Sequence, residues 1–283
     1  MKKIRLSTVI IVMVLIAGVS LMLYPSFSDW WNKFHESQVV AGYVRKTDDM
    51  SRAEKAKMWE DAVEYNRRLA ADQAGFTLSP QQESEYENIL DVTGTGIMGY
   101  IQIDKLRINL PIYHGTSDSV MQVAIGHLEG SSVPTGGDST HCVITGHTGL
   151  PSAKLFSDID KLKKGDTFII SVLDHTMTYK VDQIKVVLPD ETDDLMIRHS
   201  SDLCTLVTCT PYGINTHRLL VRGHRVPNTK DASDIRSDAL RIDPILYLPF
   251  VIAGAAAALI IWYIVHRRSK RIRPRRTRRG GSR

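Results

Sequence analysis

The run Leu203-Cys204-Thr205-Leu206-Val207-Thr208-Cys209 stops at a Thr210-Pro211-Tyr212-Gly213 loop, and the next apolar run opens with His217-Arg218. Alternation along an extended chain puts Thr205, Val207 and Cys209 on one face and Cys204, Leu206 and Thr208 on the other. Cys209 then stands at the mouth of a sheet, and Arg218 lies close to it if the two runs pair across the loop. A thiolate there can attack a carbonyl carbon, and a guanidinium can hold the oxyanion that results. A cysteine nucleophile also needs a base or cationic partner. Of ten histidines the best placed is His147, in Thr145-Gly146-His147-Thr148-Gly149, where an apolar run ends between two glycines. His114, closing another such run, and His127, in Gly126-His127-Leu128-Glu129-Gly130, are further candidates. The chemistry indicated is acyl transfer through a thiol. No pair of histidines or cysteines has zinc-site spacing, so neither metal nor cofactor is expected.

Holding such groups takes a scaffold, and the pattern supplies one. After Gly94 the apolar period is two, and Met98–Ile103, Ile108–Tyr113, His141–Gly146, Thr167–Leu173, Met177–Leu188, Leu203–Cys209 and His217–Arg225 read as strands. Seven or eight strands in about 130 residues with little helix between them predict a mainly β fold, a closed barrel. Upstream, Ser28 to Ala71 is helical in pattern and strongly charged; Ser51 with Glu54 forms a capping box ahead of Met58, Trp59, Val63 and Leu69. Ser79-Pro80 opens a further short helix.

The chain has 283 residues and a net charge of +5, which invites a nucleic-acid reading. The distribution argues against it. Three basic residues lie within residues 1–5 and ten within 266–283, without an acid in either tail. Between them, 23 of the 36 Lys and Arg face all 31 Asp and Glu, a balance of about −8. The tails flank two uncharged runs, Leu6–Tyr24 and Pro244–Val265, each long enough to cross ~30 Å of hydrocarbon as a helix. Basic flanks stay cytoplasmic, so both termini are expected inside and residues 25–243 outside. Trp30 and Trp31 suit an interfacial belt, and no A-x-A cleavage site follows the first run. Membrane lipid is thus one expected partner, and nucleic acid is not. The three cysteines, Cys142, Cys204 and Cys209, leave at least one thiol outside any intrachain disulfide.

Thr205-Leu206-Val207-Thr208-Cys209 followed by Arg218, with Thr145-Gly146-His147 upstream, resembles the signature of the sortases, cysteine transpeptidases of Gram-positive surfaces. The resemblance runs from about Glu87 to Val226 and includes Leu110-Pro111-Ile112-Tyr113-His114-Gly115-Thr116 and Thr210-Pro211-Tyr212-Gly213-Ile214-Asn215-Thr216-His217-Arg218. With a second apolar run behind the barrel, it is nearest to the pilus-assembling class C. It implies an eight-stranded barrel with Cys209 as nucleophile, His147 as its partner and Arg218 as electrostatic clamp. Thr208, Thr210 and His127 would bind substrate or support the site. It also implies pilin substrates whose Leu-Pro-x-Thr-Gly-like signal is cut after Thr and joined to a lysine of another pilin. The rivals are anchoring to peptidoglycan, a secreted cysteine protease and a catalytically dead docking scaffold.

The implied domain plan is a basic tail (1–5), a span (6–24), a helical extension (25–86), the catalytic barrel (87–228), a linker (229–243), a second span (244–265) and an Arg-rich tail (266–283). Most class C enzymes carry an Asp-Pro-aromatic lid before the barrel, and here the matching segment reads Ala71-Asp72-Gln73-Ala74-Gly75-Phe76. Asp72 and Phe76 could still face Arg218 and Cys209. Without the proline and with Gly75, the backbone has more states to lose on docking. A lid absent from the cleft or loosely held is expected.

Overall fold

The computed structural model describes residues 6–72, 75–150, 153–228 and 262. The expected linker and Arg-rich tail, and the second apolar run apart from Trp262, lie outside the described residues.

Eight strands close into a barrel in the order β1-β2-β3-β4-β7-β8-β6-β5. They are β1 (Ile97–Ile103), β2 (Ile108–His114), β3 (Ile125–His127), β4 (Thr140–Thr145), β5 (Thr167–Val172), β6 (His175–Val187), β7 (Asp202–Thr210) and β8 (His217–Val226). Seven fall where the alternation predicts them. β3 was not anticipated, because three residues are too few to show a period.

The pleat sorts side chains between two faces. Ile101, Ile112, Cys142, Ile144, Phe168, Ile170, Cys204, Leu206 and Val221 point inward and fill the core. On the outside, Val143, Val187, Leu195, Val207 and Leu220 form a second apolar cluster. Two pairings are parallel, β2 with β3 and β4 with β7, and the rest are antiparallel. The C-terminal ends of β4 and β7 therefore lie at the same end of the barrel as the start of β8.

Helix α1 (Leu6–Asp49) runs unbroken from the first apolar run onto the barrel. Its second half packs Val40, Tyr43 and Val44 on Ile97, Tyr100 and Ile169. The Tyr43 hydroxyl donates to Met98 O at 3.0 Å and accepts from Leu173 N at 2.9 Å. The helix start read at Ser51 is present: its capping box with Glu54 opens α2 (Arg52–Asp72). A second capping box, Ser79 with Gln82, opens α3 (Pro80–Asn88). A short α4 (Asp118–Met121) precedes β3.

The extension is clamped to the barrel, chiefly by Asn66 of α2. Its amide donates to Val133 O at 2.9 Å and to Thr135 Oγ1 at 2.8 Å, and it accepts from Val133 N at 2.8 Å. Trp59 also stacks flat on His175, ring centroids 3.6 Å apart. Removing the Asn66 amide orphans buried main-chain groups, each costing the desolvation of an unmet partner. Asn66→Ala is expected to lower unfolding stability by about 2–4 kcal/mol, read from denaturant midpoints at unchanged slope. A loss under about 0.5 kcal/mol would mean that α2 is not held there.

Candidate active site

Three neighbouring strands bring the sequence candidates into one row. Cys209 is the direct cross-strand partner of Arg218 on β7 and β8. On the other side of β7, the parallel register reaches Thr145 opposite Val207. Gly146 N then donates to Val207 O at 3.0 Å, extending the ladder by one residue. The Thr208 hydroxyl donates to Gly146 O at 2.7 Å and pins the same junction from the inner face. The next residue, His147, therefore comes level with Cys209. Alternation puts His147, Cys209 and Arg218 on the outer face, in line with Val143, Val207 and Leu220. All three are half-buried.

Each side chain has a local reason to be where it is. His147 follows the last strand residue, and its carbonyl accepts from Phe156 N at 3.2 Å, which turns the following loop back over the site. Arg218 uses Nη1 to hold Asn215 O and His217 O, both at 3.2 Å, so it also shapes the β7–β8 loop. Among the described residues no carboxylate forms an ion pair with it. Thr210 is half-buried at the end of β7, opposite His217. A thiol, an imidazole and a guanidinium without a carboxylate partner thus share one edge of an apolar strip, the chemical set that acyl transfer needs.

The other histidines are elsewhere. His127 pairs with Ile144 and so points to the inner face, opposite to Cys209. It is fully buried, its ring nitrogens facing Tyr86 Oη at 2.9 Å and Ser132 O at 2.8 Å. His127 thus lies in core surroundings, away from the row. His114 faces two main-chain carbonyls, Gly96 O and Ile89 O, and burial lowers its pKa. His141 shares the outer face with His147 but lies at the far end of β4, where burial holds its pKa down to about 4. Cys142 and Cys204 are cross-strand partners inside the barrel, and burial pushes the Cys204 thiol well up. Cys209 is the one cysteine that is not buried. Among the described residues no group of three or more His, Cys, Asp and Glu could hold a metal ion.

The lid segment is split. Phe76 is half-buried against the outer apolar cluster that contains Val207 and Leu220, one step along each strand from Cys209 and Arg218. Gly130, at φ 78°, makes room for it, since a Cβ there would come within 2.6 Å of Phe76 Cα. Asp72 accepts from Gln82 Nε2 at 3.3 Å and makes no ion pair with Arg218. A cavity of about 190 Å³, lined in part by Leu69, Phe76 and Ile197, remains beside the segment. Of the two expected arrangements, a segment absent from the cleft or one loosely held, Phe76 rests beside the row and Asp72 does not reach it. The strip on which it rests was missed in the sequence, where its members read as separate alternating residues.

The Sortase domain family matches residues 101–226. Sortase C1 from Streptococcus agalactiae is 51% identical with a TM-score of 0.67, the match covering 68% of this chain and 100% of that one. Sortase C of Streptococcus pneumoniae, studied for catalysis and pilin substrate specificity, is 43% identical with a TM-score of 0.62, over 68% and 98%. Sortase D of Bacillus subtilis is 28% identical over 131 residues, 45% of this chain; the chain spans 63% of that relative's length. With 51% identity across the matched 68% of its length to a solved relative that it covers end to end, this chain belongs to the sortase transpeptidase family, and its structural neighbours are class C sortases.

Proposed function

We propose that this enzyme is a pilus-assembling transpeptidase that works through a Cys209 thioester. The observation that carries the reading is the single cross-strand row His147, Cys209, Arg218 on the open face of the barrel. The Cys209 thiolate attacks the Thr–Gly carbonyl carbon of a Leu-Pro-x-Thr-Gly-like signal. Arg218 balances the oxyanion, and His147 gives its proton to the departing glycine amine as the C–N bond breaks. A lysine amine of a second pilin then attacks the thioester carbonyl. His147 takes up the proton of that amine, the sulfur leaves as thiolate, and an isopeptide bond remains. Thr208 acts by fixing the strand junction beneath His147, and Thr210 by closing the Cys209 strand.

The reading includes the membrane. The first half of α1 is long and apolar enough to span, and its described side chains are largely exposed. The domain beyond it works outside, with the N-terminal basic tail and the C-terminal Arg-rich tail both inside. The test is product analysis with a sorting peptide, with and without a lysine-bearing acceptor. Amide transfer to the lysine with slow background hydrolysis is expected. Acid product alone, even with acceptor in excess, would show a protease instead.

The lid gives a separate expectation. One half-buried aromatic contributes about 1.5 kcal/mol of burial, roughly a tenfold bias toward the docked position. Deleting residues 70–80 is expected to accelerate thiol-reagent modification of Cys209 by about tenfold or less. An acceleration beyond about a hundredfold would mean a tightly closing lid.

A further inference from the structure

The catalytic end of the barrel is tied to α1 at a point just beyond the apolar run. Asp29 Oδ1 accepts from Lys154 N at 3.2 Å, and Lys154 lies in the loop that leads away from His147. Asp29 is five residues past Tyr24, about 8 Å along a helix axis. Further up, Tyr43 is bonded to Met98 and Leu173, at the opposite end of the barrel. These two levels of attachment fix which way the barrel faces along α1: the row of His147, Cys209 and Arg218 is on the side where α1 becomes apolar.

That end has a surface suited to lipid. Tyr212 and Ile214, at the tip of the β7–β8 loop, are 71% and 67% exposed. The loop does not fold them away, because it is closed on itself: Ile214 N and Asn215 N both donate to Pro211 O at 3.0 Å, and Arg218 holds Asn215 O. The Tyr212 ring lies on Gly149, φ 77°, where a Cβ would meet it at 3.2 Å. The tip thus sits over the same His147 loop that α1 touches. Arg107, Lys154, Lys163 and Lys164 are exposed on the loops of this end and make no ion pair among the described residues. On α1 itself Tyr24, Phe27 and Trp31 are exposed at the level of the apolar boundary, where aromatic side chains favour a headgroup region.

We infer that the catalytic end of the barrel lies against the bilayer surface, with Tyr212 and Ile214 seated among the lipid headgroups and the basic loops against anionic lipid. This rests on the reading of α1 as a membrane span. Burying such apolar side chains and bringing lysines near an anionic leaflet both favour this placement. Those gains are available only to an end that α1 already holds at the surface. The row would then accept peptide segments that emerge from the bilayer close by.

The test uses the full chain carrying Cys209→Ala, in vesicles of mixed zwitterionic and anionic lipid. Cys142 and Cys204 are buried, so a thiol dye reports on one introduced cysteine at a time. Met22→Cys reports the span, Ile214→Cys the loop tip, and His199→Cys the far end of the barrel. Quenching is compared between nitroxide-bearing lipid and iodide in the water. The dyes at 22 and 214 are expected to be quenched several-fold by nitroxide lipid and protected from iodide, and the dye at 199 the reverse. If 22 is quenched by lipid while 214 answers only to iodide, the span stands and the inference is wrong; the tip then stands in water. If neither 22 nor 214 meets lipid, the span reading itself fails and takes the inference with it.

Discussion

Cys209→Ala is expected to remove thioester formation and transpeptidation completely, a fall of about 10⁴-fold or more in turnover. Cys209 stands half-buried at the end of β7, where the lost sulfur leaves little cavity and the fold keeps its stability. The same substitution at Cys142 or Cys204 separates chemistry from packing. Both are inside the barrel and across from one another on β4 and β7. Each alanine there is expected to cost about 1–2 kcal/mol of stability through the cavity it leaves, with activity retained at low temperature. Mass spectrometry of enzyme trapped with a sorting peptide reads the adduct, and thermal unfolding reads the stability. An adduct formed by the Cys209→Ala protein would sink the assignment of the nucleophile.

Arg218→Lys is expected to lower kcat by about a hundredfold or more while KM changes little, because the lost contact is made to charge that develops during attack. The positive charge survives this change, but the planar fork does not. In the wild type, Nη1 is committed to the carbonyls of Asn215 and His217, which leaves the rest of the guanidinium for substrate. An ammonium cannot brace the loop and meet an oxyanion in two directions at once. Steady-state kinetics with a fluorogenic sorting peptide decides. A lysine variant within about threefold of wild type would show that charge alone suffices at this position.

Much of the scaffold was legible in the residues themselves. Period-two runs set off by Gly, Pro, Asp and Ser mark seven of eight strands, because each strand must bury one face and each turn needs its own residues. Ser51 with Glu54 and Ser79 with Pro80 mark helix starts, because helix initiation is settled within four residues. The Cys209–Arg218 pair was legible for the same reason: a hairpin makes its two ends neighbours, and the loop between them is short.

His147 is another matter. It is 62 residues from Cys209, and only the parallel pairing of β4 with β7 makes them adjacent. No local pattern encodes which strands of a barrel are neighbours, since that is settled by packing of the whole core. His127 shows the converse. By sequence it stood among the candidate histidines, yet pairing with Ile144 turns it inward, and a register one residue different would have turned it out. The docking of Phe76 on Gly130, and of Asp29 on the loop after His147, joins segments far apart in the chain. Local sequence therefore determined which groups could do chemistry and which runs would be strands. The closed tertiary structure decided which of those groups share a face, because side-chain direction in a sheet depends on register and register depends on the whole barrel.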